Sequence, residues 1–82
     1  MDKRELAHKL IEHYDCFNTE KMWLDEFDPK VEFVSVCCHV NAPHPSSRLC
    51  KDVAKYIRKL LGKNGKDYAI FIGAYYFEPE ID

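Results

Sequence analysis

Apolar residues recur along the first fifteen positions at the spacing of one helical face. Asp2 stands where an N-cap is expected, and Glu5 follows three residues later in the capping-box arrangement. The pattern predicts a helix over residues 2–15, whose apolar stripe consists of Leu6, Ala7, Leu10, Ile11 and Tyr14.

Residues 20–27 allow two interpretations. Met22, Trp23, Glu26 and Phe27 fit a short helix with an apolar side, and the same residues could form a strand that turns at positions 28–30. The segment opens on acidic residues and lacks the β-branched enrichment of strands, so a helix over residues 20–27 is the favoured prediction and the strand is the alternative.

The rest of the chain alternates between β and α patterns. Residues 31–40 are rich in β-branched and aromatic side chains and predict a strand. A helix follows over residues 46–61, and Gly62 ends it. Residues 68–77 predict a second strand that is apolar on both faces. The predicted fold is therefore a single α+β domain over residues 1–82, in the order α-α-β-α-β, with helices packed on a small, mainly antiparallel sheet.

Composition sets the broad class of protein. The 82 residues are 46 % apolar, in the range of globular domains, and contain no apolar run long enough to span a membrane. The N-terminal residues mix both charges and lack the apolar centre of a signal peptide. We therefore expect a cytoplasmic protein with reduced cysteines and no membrane contact.

Positive charge is concentrated in residues 48–66. This segment holds seven of the twelve Lys and Arg residues and one of the fourteen Asp and Glu residues, so it carries +6 and the remainder carries −8. A candidate partner-binding face on the third predicted helix consists of Lys51, Lys55, Arg58 and Lys59. A solvated helix face is the simpler interpretation, a phosphate- or acid-binding surface is the alternative, and the acidic remainder could dock on a basic partner.

The last predicted strand is a candidate for self-association. Alternation along residues 68–77 would place Phe71, Tyr75 and Phe77 on one face. A strand that is apolar on both faces must be buried on both or must offer one to a partner. We expect a homodimer, or failing that a different protein, to contact this row.

Cysteine and histidine suggest two further chemistries. A closed zinc site is conceivable from Cys37, His39, His44 and Cys50, although their spacing matches no strong zinc pattern. Cys50, near the start of a helix, could instead be a nucleophile with His39 or His44 as its base. The competing interpretation is that the cysteines are small core residues. We expect no metal, no cofactor and no catalytic activity.

Residues 6–18 and 23–34 carry a family resemblance. Both stretches, LAHKLIEHYDCFN and WLDEFDPKVEFV, are similar to the first helix, and to the second helix leading into the first strand, of NTF2-like (SnoaL-like) domains. The two stretches lie in the N-terminal half of the chain and cover 25 of its 82 residues, and the resemblance implies a curved sheet packed on helices. The long strands that usually carry the pocket in that family are absent here, so no family site residue is transferred.

Three functional hypotheses follow. The leading one is a small non-enzymatic protein-interaction module, acting as a regulator or inhibitor of a larger complex. The others are an NTF2-like domain that binds or transforms a small ligand, and a zinc-stabilised module. Nucleic acid is a less favoured partner than protein because the net charge is −2.

Overall fold

The computed structural model describes residues 1–14, 22–38 and 45–80. The chain has the α+β class that its pattern predicts, with two α-helices and one four-stranded sheet among these residues. The elements are α1 (Lys3–His13), β1 (Met22–Asp28), β2 (Phe33–Cys38), α2 (Ser47–Leu61), a 3₁₀ helix (Gly62–Asp67), β3 (Ala69–Ile72) and β4 (Tyr75–Phe77).

The four strands lie in the sheet in chain order, β1-β2-β3-β4. β1 pairs with β2, and β3 with β4, in antiparallel fashion. The central pair, β2 and β3, is parallel, and α2 forms the crossover connection that parallel neighbours require. The sheet is therefore mixed, with its parallel pair at the centre.

The helix predicted over residues 20–27 is wrong, because Met22–Asp28 form strand β1. Met22 and Leu24 alternate into the core, but the register with β2 then shifts at a β-bulge between Leu24 and Glu26. The extra residue turns Phe27, rather than its neighbour Glu26, toward the core. The bulge thus breaks the two-residue period and produces the spacing that resembled a helix.

The predicted strand over residues 31–40 is shorter at its start. Val31 and Glu32 belong to the turn that connects β1 to β2, and the φ angle of Glu32 is +53°. The main-chain carbonyl of Glu32 accepts a hydrogen bond of 2.8 Å from Ala69 N–H, so the turn still contacts the start of β3. Residues 39 and 40 lie outside the described part of the chain.

Both helices pack on the same face of the sheet, α1 over β1 and α2 over β3 and β4. The ring of His13 stacks on Tyr56 with centroids 4.1 Å apart, and Tyr14 donates a 2.7 Å hydrogen bond to Asp52, so the end of α1 is attached to α2. The core between helices and sheet consists of Leu6, Leu10, Met22, Leu24, Val34, Val36, Cys50, Val53, Ala54, Ile57, Tyr68, Ile70 and Ile72.

Candidate interaction surfaces

The single strand predicted over residues 68–77 is a hairpin of β3 and β4. Its turn is formed by Gly73, whose φ of +60° suits a tight two-residue connection, and Ala74. Residues that face each other across the hairpin share a side of the sheet, and Phe71 faces Tyr76 whereas Ile70 faces Phe77.

The hairpin corrects the predicted row of Phe71, Tyr75 and Phe77. Phe71 lies on the side of the sheet away from the helices, whereas Phe77 lies on the helix side and packs against the core. Tyr75 faces the buried Ile72 and keeps 38 % of its surface exposed. The glycine in the middle of the apolar segment was the sequence signal for this turn.

A row of aromatic side chains crosses the side of the sheet away from the helices. The ring centroid of Phe71 lies 5.2 Å from that of Phe33 on β2 and 4.6 Å from that of Tyr76 on β4. Ser35 pairs with Phe71, and Cys37, two residues further along β2, lies on the same side of the sheet. Trp23 pairs with Cys37 and therefore lies on this side as well. Trp23 is 40 % exposed and Tyr76 54 % exposed. We call this surface the aromatic face.

Acidic side chains border the aromatic face along β1. Asp28 pairs with Phe33, and Glu26 pairs with Ser35, so both carboxylates lie on the side of the aromatic row. The bulged residue Asp25 lies beside Cys37 on that side, and its main-chain carbonyl accepts a 2.7 Å hydrogen bond from Lys3 Nζ.

The thiol of Cys37 at this border is not activated. Burial raises the pKa of Cys37 above its ordinary value, and the neighbouring Asp25 carboxylate raises it further, whereas a hydrogen bond with Ser35 lowers it. Because the thiolate is the reactive form, the protonated thiol is a poor nucleophile at neutral pH.

The basic residues predicted as a partner-binding face all lie on α2 but have different environments. Lys51, Lys55 and Lys59 are exposed. The side chain of Arg58 is only 11 % exposed, and its guanidinium donates hydrogen bonds to main-chain carbonyls after α2. These bonds measure 2.6 Å to Gly65, 3.1 Å to Tyr68 and 3.0 Å to Glu78.

A cleft of about 370 Å³ lies between α2 and β4. It brings four of the seven residues predicted for partner binding near one another, since Lys51, Lys55, Arg58 and Phe77 line it. Glu80 also lines the cleft and forms an ion pair of 3.5 Å with Arg58. The cleft thus carries both charges, with two exposed lysines on the α2 wall.

The cysteines of the hypothetical zinc site lie in different layers. Cys50 is fully buried on α2, with its Sγ 3.9 Å from the main-chain oxygen of Ile72. Cys37 projects from β2 on the other side of the sheet, away from α2. His39 and His44 lie outside the described residues, and no potential metal-binding cluster occurs among the described ones. The two cysteines therefore lie on opposite sides of the sheet.

Cys50 is too deeply buried to act as a nucleophile in the folded chain. Its side chain has no exposed surface and belongs to the core between α2 and the sheet. A substrate could not reach this sulfur without opening the core, so the residue fits the structural interpretation.

Comparison with known proteins found no match to a family model, to a curated protein or to a solved structure. In residues 1–14, 22–38 and 45–80, no helix is long and apolar enough to cross a bilayer.

Proposed function

We propose that this chain is a non-enzymatic protein-interaction module that binds another protein through its aromatic face. The observation that carries the proposal is the continuous row of Phe33, Phe71 and Tyr76 on the side of the sheet opposite both described helices. Aromatic residues are enriched in the buried centres of protein interfaces and contribute much of their binding energy. A cytoplasmic regulator or inhibitor of a larger complex is the form we favour.

The raised pKa of Cys37 and the burial of Cys50 support a binding role rather than catalysis. The cleft beside α2 is the feature that an NTF2-like ligand-binding or catalytic domain would use, and the described residues that line it include no Cys, Ser, Thr or His. We rank that alternative below protein binding.

The test compares two adjacent tyrosines on opposite sides of the sheet. The tagged full chain and its Tyr76→Ala and Tyr75→Ala variants are incubated with extract of the native host, and captured proteins are quantified by mass spectrometry. We expect Tyr76→Ala to lose a specific partner that Tyr75→Ala retains. Because Tyr76 also lines the cleft beside α2, a Lys51→Glu/Lys55→Glu variant, which should retain the partner, separates the two surfaces. Equal capture by the full chain and both tyrosine variants would contradict the use of the aromatic face.

Self-association through the last strand is part of the same proposal. β4 is an edge strand that contributes Tyr76 to the aromatic face, so two copies could bury this surface against each other. A partner protein and a second copy would then compete for one face.

The basic side of α2 is a second candidate surface. Lys51 and Lys55 lie beside Phe77 in the cleft, where they could hold an acidic segment of a protein partner. Nucleic acid is less favoured there, because Glu78 and Glu80 line the same cleft and would repel phosphates.

A further inference from the structure

We propose that the aromatic face binds a Lys/Arg-rich segment of the partner protein, since its aromatic rings lie beside three carboxylates of β1. The inference rests on the proposed function and adds the chemistry of the partner. It concerns the face formed by Trp23, Phe33, Phe71 and Tyr76 together with its border, Asp25, Glu26 and Asp28.

The charge of the sheet is one-sided. The four described strands contain three acidic residues, all on β1, and no Lys, Arg or His. The main cluster of basic residues lies on α2 and the 3₁₀ helix, on the helix side of the sheet. A cationic segment approaching the aromatic face therefore meets carboxylates with no lysine or arginine on the four described strands, and the ammonium that reaches this border, Lys3 Nζ of α1, bonds to the main-chain carbonyl of Asp25.

The geometry suits arginine in particular. A guanidinium can stack on an aromatic ring and at the same time form paired hydrogen bonds with a carboxylate. Asp28 pairs across strands with Phe33, the ring at the β2 end of the aromatic row, so a carboxylate and a ring lie next to each other, and Oδ1 of Asp28 also accepts a 2.9 Å hydrogen bond from Lys30 N–H. Glu26, which is exposed, adds a second carboxylate on the same strand.

Other occupants fit this charge less well. The phosphates of a nucleic acid would be repelled by the β1 carboxylates. A second copy docking by the same face would bring along its own acidic border, which a cationic segment does not. A copy docking by its basic α2 would make a head-to-tail contact that leads to larger assemblies with rising concentration.

The test measures binding of the purified full chain to a fluorescein-labelled short peptide of alternating arginine and serine by fluorescence anisotropy. Comparison peptides carry citrulline, which is neutral, or glutamate in place of arginine. We expect the arginine peptide alone to bind, and its binding to weaken as salt screens the charges.

Matched variants locate the site. Glu26→Lys and Tyr76→Ala should each weaken binding of the arginine peptide by about tenfold. Glu12→Lys makes the same charge change on α1, and Tyr75→Ala removes the tyrosine on the other side of β4, so both should change the affinity by less than about twofold. Circular dichroism checks that each variant is folded. If Tyr76→Ala does not fold, Glu26→Lys still tests the site, because Glu26 is exposed and its substitution leaves the core unchanged.

The two levels of the proposal fail differently. Absent binding, equal binding of the citrulline peptide, or equal weakening by Glu12→Lys would overturn the cationic-segment inference. If Tyr76→Ala nevertheless abolished capture of the host partner, and Lys51→Glu/Lys55→Glu in the cleft that Tyr76 also lines did not, the aromatic face would remain an interaction surface for a partner of other chemistry. If the arginine peptide failed to bind and Tyr76→Ala also left capture of the host partner unchanged, the proposed function would be overturned as well.

Discussion

Arg58 connects α2 to three later parts of the chain. Its guanidinium donates hydrogen bonds to carbonyls in the 3₁₀ helix, at Tyr68 immediately before β3 and after β4, and its Nε lies 3.5 Å from a carboxylate oxygen of Glu80. Hydrogen bonds from a charged donor are stronger than neutral ones, and carbonyls left without a donor in a part-buried site are costly. At the residue scale this arginine is therefore a structural link, whereas Lys51 and Lys55 remain available for a partner.

We predict that Arg58→Ala lowers the free energy of unfolding by about 2–3 kcal/mol, because several charge-assisted hydrogen bonds are lost at once. The control is Lys55→Ala, an exposed position three residues earlier on α2, which should change it by about 0.5 kcal/mol or less. Urea denaturation followed by circular dichroism measures both. Equal stability of the two variants would show that the Arg58 hydrogen bonds contribute nothing net.

At the scale of elements, the end of α2 is shaped by two glycines. Gly62 follows the helix with a φ of +73°, a conformation in which side chains are strained, and its N–H bonds to the carbonyl of Lys59. Gly65 is buried in the 3₁₀ helix, where an added Cβ would collide with the main-chain carbonyl of Arg58. The close approach of the two backbones explains why a glycine occupies position 65 and lets Arg58 reach β3.

Gly65→Ala is expected to destabilise the protein by about 1–3 kcal/mol, the usual cost of forcing extra volume into a packed site. Asn64→Ala, at the exposed neighbouring position, should cost about 0.5 kcal/mol or less. The melting temperatures of both variants, compared with that of the wild type, measure the difference. A fully stable Gly65→Ala variant would mean that the 3₁₀ helix shifts away from α2 at little cost.

At the scale of the whole molecule, the mixed sheet separates two chemically different sides. The helix side carries the exposed lysines of α2, and the other side carries the aromatic face with its acidic border. A partner that binds the acidic border of the aromatic face therefore does not contact the lysines of α2, and a partner of the α2 lysines does not contact the acidic border. The separation of charge also makes binding at either side dependent on ionic strength.

Self-association belongs to this scale. If copies pair through the aromatic face, sedimentation velocity over the micromolar range should show a dimer for the wild type and for Tyr75→Ala. Tyr76→Ala should be monomeric, since that side chain is 54 % exposed in the single chain and lies on the aromatic face. A wild-type monomer at every concentration would exclude the homodimer and leave the face to a different protein.

Local periodicity accounted for the two helices, whose apolar stripes place Leu6, Leu10, Val53 and Ile57 in the core. The α+β class and the concentration of positive charge on α2 could likewise be read from the sequence. These properties depend on residues within a few turns of one another, so a pattern in the chain is sufficient to predict them.

Strand register and the pairing of distant segments were decided by the tertiary structure. The bulge after Leu24 moved Phe27 to the core side, and the turn at Gly73 reversed which side each later residue faces, so Tyr76 rather than Phe77 joined Phe71. The hydrogen bonds of Arg58 could not be predicted from the sequence either, because they join it to carbonyls 7 to 20 residues further along the chain. Each of these outcomes depends on which segment lies opposite, and a one-residue shift in a strand exchanges its two faces.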